Sequence, residues 1–99
     1  MQRYLPRPSG DDPVYVRKHS RRLIRLLRGK LRRRKIGAEV GVWRGHNAYA
    51  LLHAFDDLEL VLVDDYADHA DNGRLDPALI PAARTEMQEL MTAHTHRVV

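Results

Sequence analysis

Ninety-nine residues make one domain at most, and an apolar fraction of 43% beside 30% charged residues fits a soluble globular chain. Cysteine is absent, which excludes disulfides and thiolate metal sites. No apolar run approaches the roughly 20 residues of a membrane span, and an early arginine with no apolar stretch behind it argues against a signal peptide, so the cytoplasm is the expected location.

Residues 1–12 read as an irregular lead-in, with Pro6, Pro8, Ser9 and Gly10 close together. Asp12-Pro13 then predicts a helix start, the aspartate capping free N–H groups and the proline occupying the first helical position. A basic helix over 13–35 is expected. Val16, Leu23, Ile24, Leu27 and Leu31 recur at near-helical spacing, and Gly29 interrupts or caps the helix. The charge is very uneven. Up to Lys35 there are thirteen Lys/Arg against Asp11 and Asp12; beyond it, four Arg face eleven Asp/Glu. A head this basic either binds phosphates or packs on the acidic body of its own chain or of a second copy.

Ile36 to Val42 is short, apolar and followed by a glycine turn, which reads as a buried strand. Gly45 to Phe55 reads as a helix with Ala48, Leu51, Leu52 and Phe55 on one face and His53 on the exposed one. Leu58 to Val63 is nearly continuous in apolar residues, as parallel strands covered on both faces tend to be. A polar loop with an Asn72-Gly73 turn follows. Asp76-Pro77 opens a helical turn and Pro81 restarts it, with Ile80, Ala83, Met87, Leu90 and Met91 as its apolar stripe. Arg97-Val98-Val99 looks like the first step of another strand. The alternation predicts an α/β fold: a partial Rossmann-like parallel sheet of about three strands, with flanking helices and an N-terminal basic helix.

The run Glu39-Val40-Gly41-Val42-Trp43-Arg44-Gly45-His46-Asn47-Ala48 carries the chemistry. A strand feeds a turn with glycines four apart, and the turn feeds a helix. Glycine lets the backbone turn tightly and approach a ligand with no Cβ in the way. The helix N-terminus presents free N–H groups to an anionic group. Asp64 follows Gly41 by twenty-three residues, at the end of the next strand, where an acid can accept hydrogen bonds from ribose hydroxyls. Together these make a nucleoside-binding corner. The spacing is not the GxGxxG of a dinucleotide fold, and no GK[ST] follows as a P-loop requires.

Glu-x-Gly-x-x-x-Gly-x-x-Ala after a strand, then an apolar strand ending Val-Asp-x-Tyr, resembles motifs I and II of class I S-adenosyl-L-methionine (SAM) dependent methyltransferases, in particular their small-molecule O-methyltransferase-like branch. The similarity spans roughly residues 34–70, and 13–33 loosely. It implies that Gly41 and Gly45, with Val42 and Trp43 between them, line the methionine part of SAM. Glu39 would orient the loop or meet the amino group. Asn47 and Ala48 would lie near the carboxylate, Asp64 would hold the ribose, and Tyr66 would border the adenine. Asp65 stands where the family usually has proline, so Asp64 and Asp65 compete for the ribose role. The later strands, which in the family carry the catalytic base or metal ligands, have no counterpart. Residues 36–99 therefore resemble the N-terminal half of such a transferase domain, a truncated unit with its methyl acceptor, a small molecule, unassigned.

Two rival readings stand beside this one. The cationic stretch 14–35 could serve a non-enzymatic protein that binds nucleic acid or another anionic surface, although only Tyr4 and Tyr15 supply aromatic rings near it. An incomplete parallel sheet has open edges, which implies a self-associating half-domain or pairing with a second chain. The remaining features are bland. Trp43 suits packing or a lid, His94 and His96 an exposed terminus with no third metal ligand, and Asp68, Asp71 and Asp76 match no calcium loop.

Overall fold

A computed structural model describes residues 2–30, 35–67 and 76–99. Leu31, His69, Asp68, Asp71, the Asn72-Gly73 turn and Arg32 to Arg34 lie outside the described residues. The elements in chain order are β1 (Tyr4–Leu5), β2 (Val14–Tyr15), α1 (Lys18–Arg28), β3 (Lys35–Val40), α2 (His46–Ala54), β4 (Leu58–Val63), a 3-10 turn (Pro77–Leu79), α3 (Ile80–Met91) and a further 3-10 stretch (Thr92–Arg97).

The lead-in is more ordered than its composition suggests. β1 and β2 pair antiparallel, with Tyr4 opposite Tyr15 and Leu5 opposite Val14. Asp12-Pro13 does not start a helix. Val14-Tyr15-Val16 alternates buried, exposed, buried, the period of a strand, and the Val16 N–H bonds to the Arg3 carbonyl at 2.7 Å. Two β-branched residues flanking an aromatic favour the extended backbone over the cap that Asp12 offers. The helix begins only at Lys18, after Arg17, with no side-chain cap. Gly29 ends it in a right-handed conformation.

β3 and β4 form a parallel pair in which Lys35 faces Leu58 and Val40 faces Val63. Val98 bridges Leu60 in parallel, with the Val99 N–H donating to the Leu60 carbonyl (2.9 Å) and the Leu62 N–H to the Val99 carbonyl (3.0 Å). The chain therefore begins a further parallel contact beside β4. The molecule is a mixed α/β protein with small sheets.

One face of the β3–β4 pair joins a single core with α2 and α3. Leu58 and Leu60 pack there with Tyr49, Leu52, Phe55, Leu90 and Met91. The helix α1 adds Ile24 to this core, packing on α2 rather than on the sheet. The opposite face departs from expectation. Among the described residues nothing covers it, and Ile36 and Val40 are 71% and 80% exposed, beside exposed Val61 and Val63. β4 has the apolar run of a doubly covered strand, but among the described residues it is covered on one side, the side on which α2 and α3 pack.

Candidate functional site

Parallel pairing brings the carboxyl ends of β3 and β4 together, so Glu39 and Asp64 flank the same turn. The Gly41 N–H continues the pairing to the Val63 carbonyl at 2.8 Å. Gly41 (φ +81°), Trp43 (φ +55°) and Gly45 (φ +78°) then all take the left-handed backbone that coils the turn. A Cβ on Gly41 would meet nothing within 4 Å, so the backbone there is open to an approaching group. A Cβ on Gly45 would lie 3.1 Å from Met87 Cγ, so that glycine lets α3 close against the turn.

Asp64 ties the turn to β4. The Trp43 N–H donates to its Oδ2 (2.8 Å) and the Tyr66 N–H to its Oδ1 (2.9 Å). The Tyr66 hydroxyl closes the loop by donating to the Trp43 carbonyl. Burial, with Asp64 nearby, pushes the Tyr66 phenol up to about 12, so it remains a donor at neutral pH. Asp65 accepts from the Ala67 N–H at 3.0 Å. Of the two candidate acids, Asp64 is the one at the glycine turn.

Glu39 sits deeper. Its Oε1 accepts from Asn47 Nδ2 (3.1 Å), and Asn47 Oδ1 accepts from the Ser20 hydroxyl (2.7 Å). Its Oε2 is buried without a hydrogen-bond partner among the described residues. Burial raises the Glu39 carboxyl above its usual range; the Asn47 bond opposes this and the Asp64 charge adds to it. A carboxylate with one orphaned oxygen in such a place is an acceptor waiting for a donor.

The turn separates two clefts. One, of about 240 Å³, lies between α1 and the turn, lined by Glu39, Gly41, Trp43 and Asn47 with Arg17 and Leu23 of the α1 side. The other, of about 210 Å³, is lined by Val42, Asp64, Asp65 and Tyr66 with Arg84 and Gln88. Of the predicted site residues, Ala48 is sealed in the core and Val42 and Gly45 are buried; Glu39, Gly41, Val42, Trp43, Gly45, Asn47, Asp64, Asp65 and Tyr66 line or shape the turn and its clefts.

Sequence reasoning missed the groups that hold this turn. Glu86 on α3 accepts from Arg44 (2.9 Å) and Arg7 (3.1 Å) and contacts His46 Nε2 (2.7 Å). Burial alone would raise its carboxyl, but these three partners overcome burial and hold it at about 2. Ser20, buried on α1, anchors Asn47. An acid and a serine within helices carry no local mark of such a role.

His94 departs from expectation. It is 8% exposed, and its ring lies 5.0 Å from that of His53 and 5.7 Å from that of Tyr49. His53 is half-buried rather than exposed. Among the described residues no group of three or more His, Cys, Asp or Glu is placed to hold a metal ion. None of their helices is long and apolar enough to cross a membrane.

The site thus defines a strand–glycine turn–helix corner of an α/β protein with two carboxylates across it. No protein-family model matches this chain, and neither the curated proteins nor the solved structures contain a significant match.

Proposed function

We propose that the corner between β3 and α2 binds S-adenosylmethionine, and that the chain is the SAM-binding portion of a Rossmann-like class I methyltransferase acting on a small molecule. The observation that carries this reading is the orphaned Glu39 Oε2 beside the open backbone of Gly41. A buried carboxylate oxygen without a donor suits the ammonium of the cofactor's amino acid, and a glycine with nothing above it suits the chain next to that ammonium. Asp64 supports it from the other cleft. Each of its oxygens accepts one N–H and keeps capacity for a further donor, which a ribose hydroxyl supplies. The residues present therefore fit the group.

When bound, SAM would supply a methyl on a sulfonium, open to in-line displacement. The residues of this chain bind and orient: Glu39 takes the ammonium, Asp64 the ribose, and Tyr66 and Asp64 keep the turn coiled. The assignment is to cofactor binding, and no group here is assigned as the base for an acceptor.

Isothermal titration with SAM and with S-adenosylhomocysteine tests it. Both are expected to bind, and Glu39→Gln to weaken both by about tenfold or more, the usual loss for a charge-assisted hydrogen bond. The variant keeps the shape of the side chain, so its circular dichroism and melting should match the parent. A folded protein giving no heat with millimolar ligand would end the proposal.

A further inference from the structure

The pairing of β1 with β2 places Tyr4 and Tyr15 side by side on the outside of the molecule. Their neighbours in the same register, Leu5 and Val14, are buried, whereas the tyrosines are 57% and 45% exposed. The two rings lie 5.4 Å apart, tilted at 59°. Arg21 of α1 stands over the Tyr15 ring at 5.9 Å. From Arg21 the helix continues with Arg25 and Arg28, four and seven positions on, along one stripe, with Lys18 and Arg22 beside it. Arg21 to Arg28 covers about 10 Å of helix axis, the span of roughly three phosphates along one strand.

This basic face forms no ion pair among the described residues. Among the described residues, the acids that form ion pairs do so elsewhere: Glu86 with Arg7, Arg44 and His46, Glu89 with Arg7, and Asp57 with Lys35. Lys18, Arg22, Arg25 and Arg28 make no ion pair with any described residue. Glu86, Glu89 and Asp57 are thus poor partners for this face, because their carboxylates are already engaged. A membrane surface is disfavoured too. An interfacial helix needs a free apolar face, and that of α1 is spent on the core through Ile24 and Leu27, leaving Leu23 and Leu26 among arginines.

We propose that Tyr4, Tyr15 and the outer face of α1 form a docking surface for a single strand of nucleic acid, bases stacking on the tyrosines and phosphates running along Arg21, Arg25 and Arg28. Every base has a π-face, so two exposed rings hold a strand without reading its sequence, and the guanidiniums beside them supply the electrostatic term. A duplex offers the phosphates but keeps its bases stacked inside. The surface is separate from the glycine turn, so Glu39→Gln leaves it intact and the two proposals fail independently.

Fluorescence anisotropy with the full chain and labelled oligomers of about 12 nucleotides tests this, using oligo(U), oligo(dT) and a duplex at rising salt. Both single strands are expected to bind more tightly than the duplex, with affinity falling linearly in log salt. Arg25→Gln with Arg28→Gln should reduce that slope by about 1.4, at about 0.7 per phosphate contact on a single strand. Tyr4→Ala with Tyr15→Ala should weaken binding by about fivefold or more at unchanged slope, whereas the two Phe replacements should retain it. The arginine positions are exposed, so those variants fold even if the tyrosine pair contributes to the hairpin. Absence of binding at about 50 mM salt, equal affinity for the duplex, or Ala variants that bind like the parent while folded would each overturn the proposal.

Discussion

At Gly45 a Cβ would meet Met87 at 3.1 Å from Cγ and 3.3 Å from Cα, while at Gly41 it would meet open space. Both have φ near +80°, so an alanine at either is strained, but for different totals. Gly41→Ala should lower stability by about 1–2 kcal/mol, the left-handed strain alone. Gly45→Ala should lose about 1–3 kcal/mol more, because the backbone of α3 must shift. Urea midpoints of the two variants check this, and a Gly45 variant no less stable than the Gly41 variant would sink it. The spacing of the two glycines was legible in the chain. The left-handed Trp43 between them was not, because a bulky residue takes that conformation only where its surroundings hold it, here Asp64 on its N–H and Tyr66 on its carbonyl.

The helix α2 was expected to bury one face, yet Ala48, Tyr49, Ala50, Leu51, Leu52 and Phe55 are all buried. It lies between α1, α3 and β4, so most of its circumference is core. This is why His53 and His94 are internal. Arg97 caps the end of α2, donating to the carbonyls of Leu52 (2.9 Å), Phe55 (2.7 Å) and Leu58 (3.2 Å), and it also contacts His94 Nδ1 at 3.1 Å. Burial, then the neighbouring His53 and Arg97, pulls the His94 imidazole down to about 4, and burial lowers His53 as well. Both imidazoles are depressed, so between about 4 and their ordinary value near 6.5 the unfolded chain binds more protons than the folded one. Stability from these groups is complete above pH 6.5 and is lost as pH falls toward 4. Glu86, held at about 2, acts in the same direction but lower, below its ordinary 4.5, while Glu39, raised, opposes it. Urea midpoints should therefore fall between pH 6.5 and 4, and His94→Phe should flatten that slope. An unchanged slope in the variant would refute the assignment to His94.

For the molecule as a whole, the uncovered sheet face has a consequence in solution. Ile36, Val40, Val61 and Val63 present apolar surface, and among the described residues β3 pairs with β4 alone, a combination that favours association. Sedimentation is expected to show concentration-dependent self-association, and Val40→Lys to shift it toward monomer with stability changed by no more than about 0.5 kcal/mol, since that side chain is already exposed. A parent protein that sediments as a clean monomer at all concentrations would refute this. The amino-acid order by itself determined the strand β4, the glycine turn, the acid across from it and the proline-led α3, because periodicity, glycine spacing and caps act within a few residues of the chain. It misplaced the start of α1, expected cover on both faces of β4 where the described residues cover one, and was silent on the Tyr4–Tyr15 pair and on the clamp of Glu86 on Arg7, Arg44 and His46. Those depend on partners about ten to eighty positions away, and only the packing of helices and strands in three dimensions decides which such residues meet.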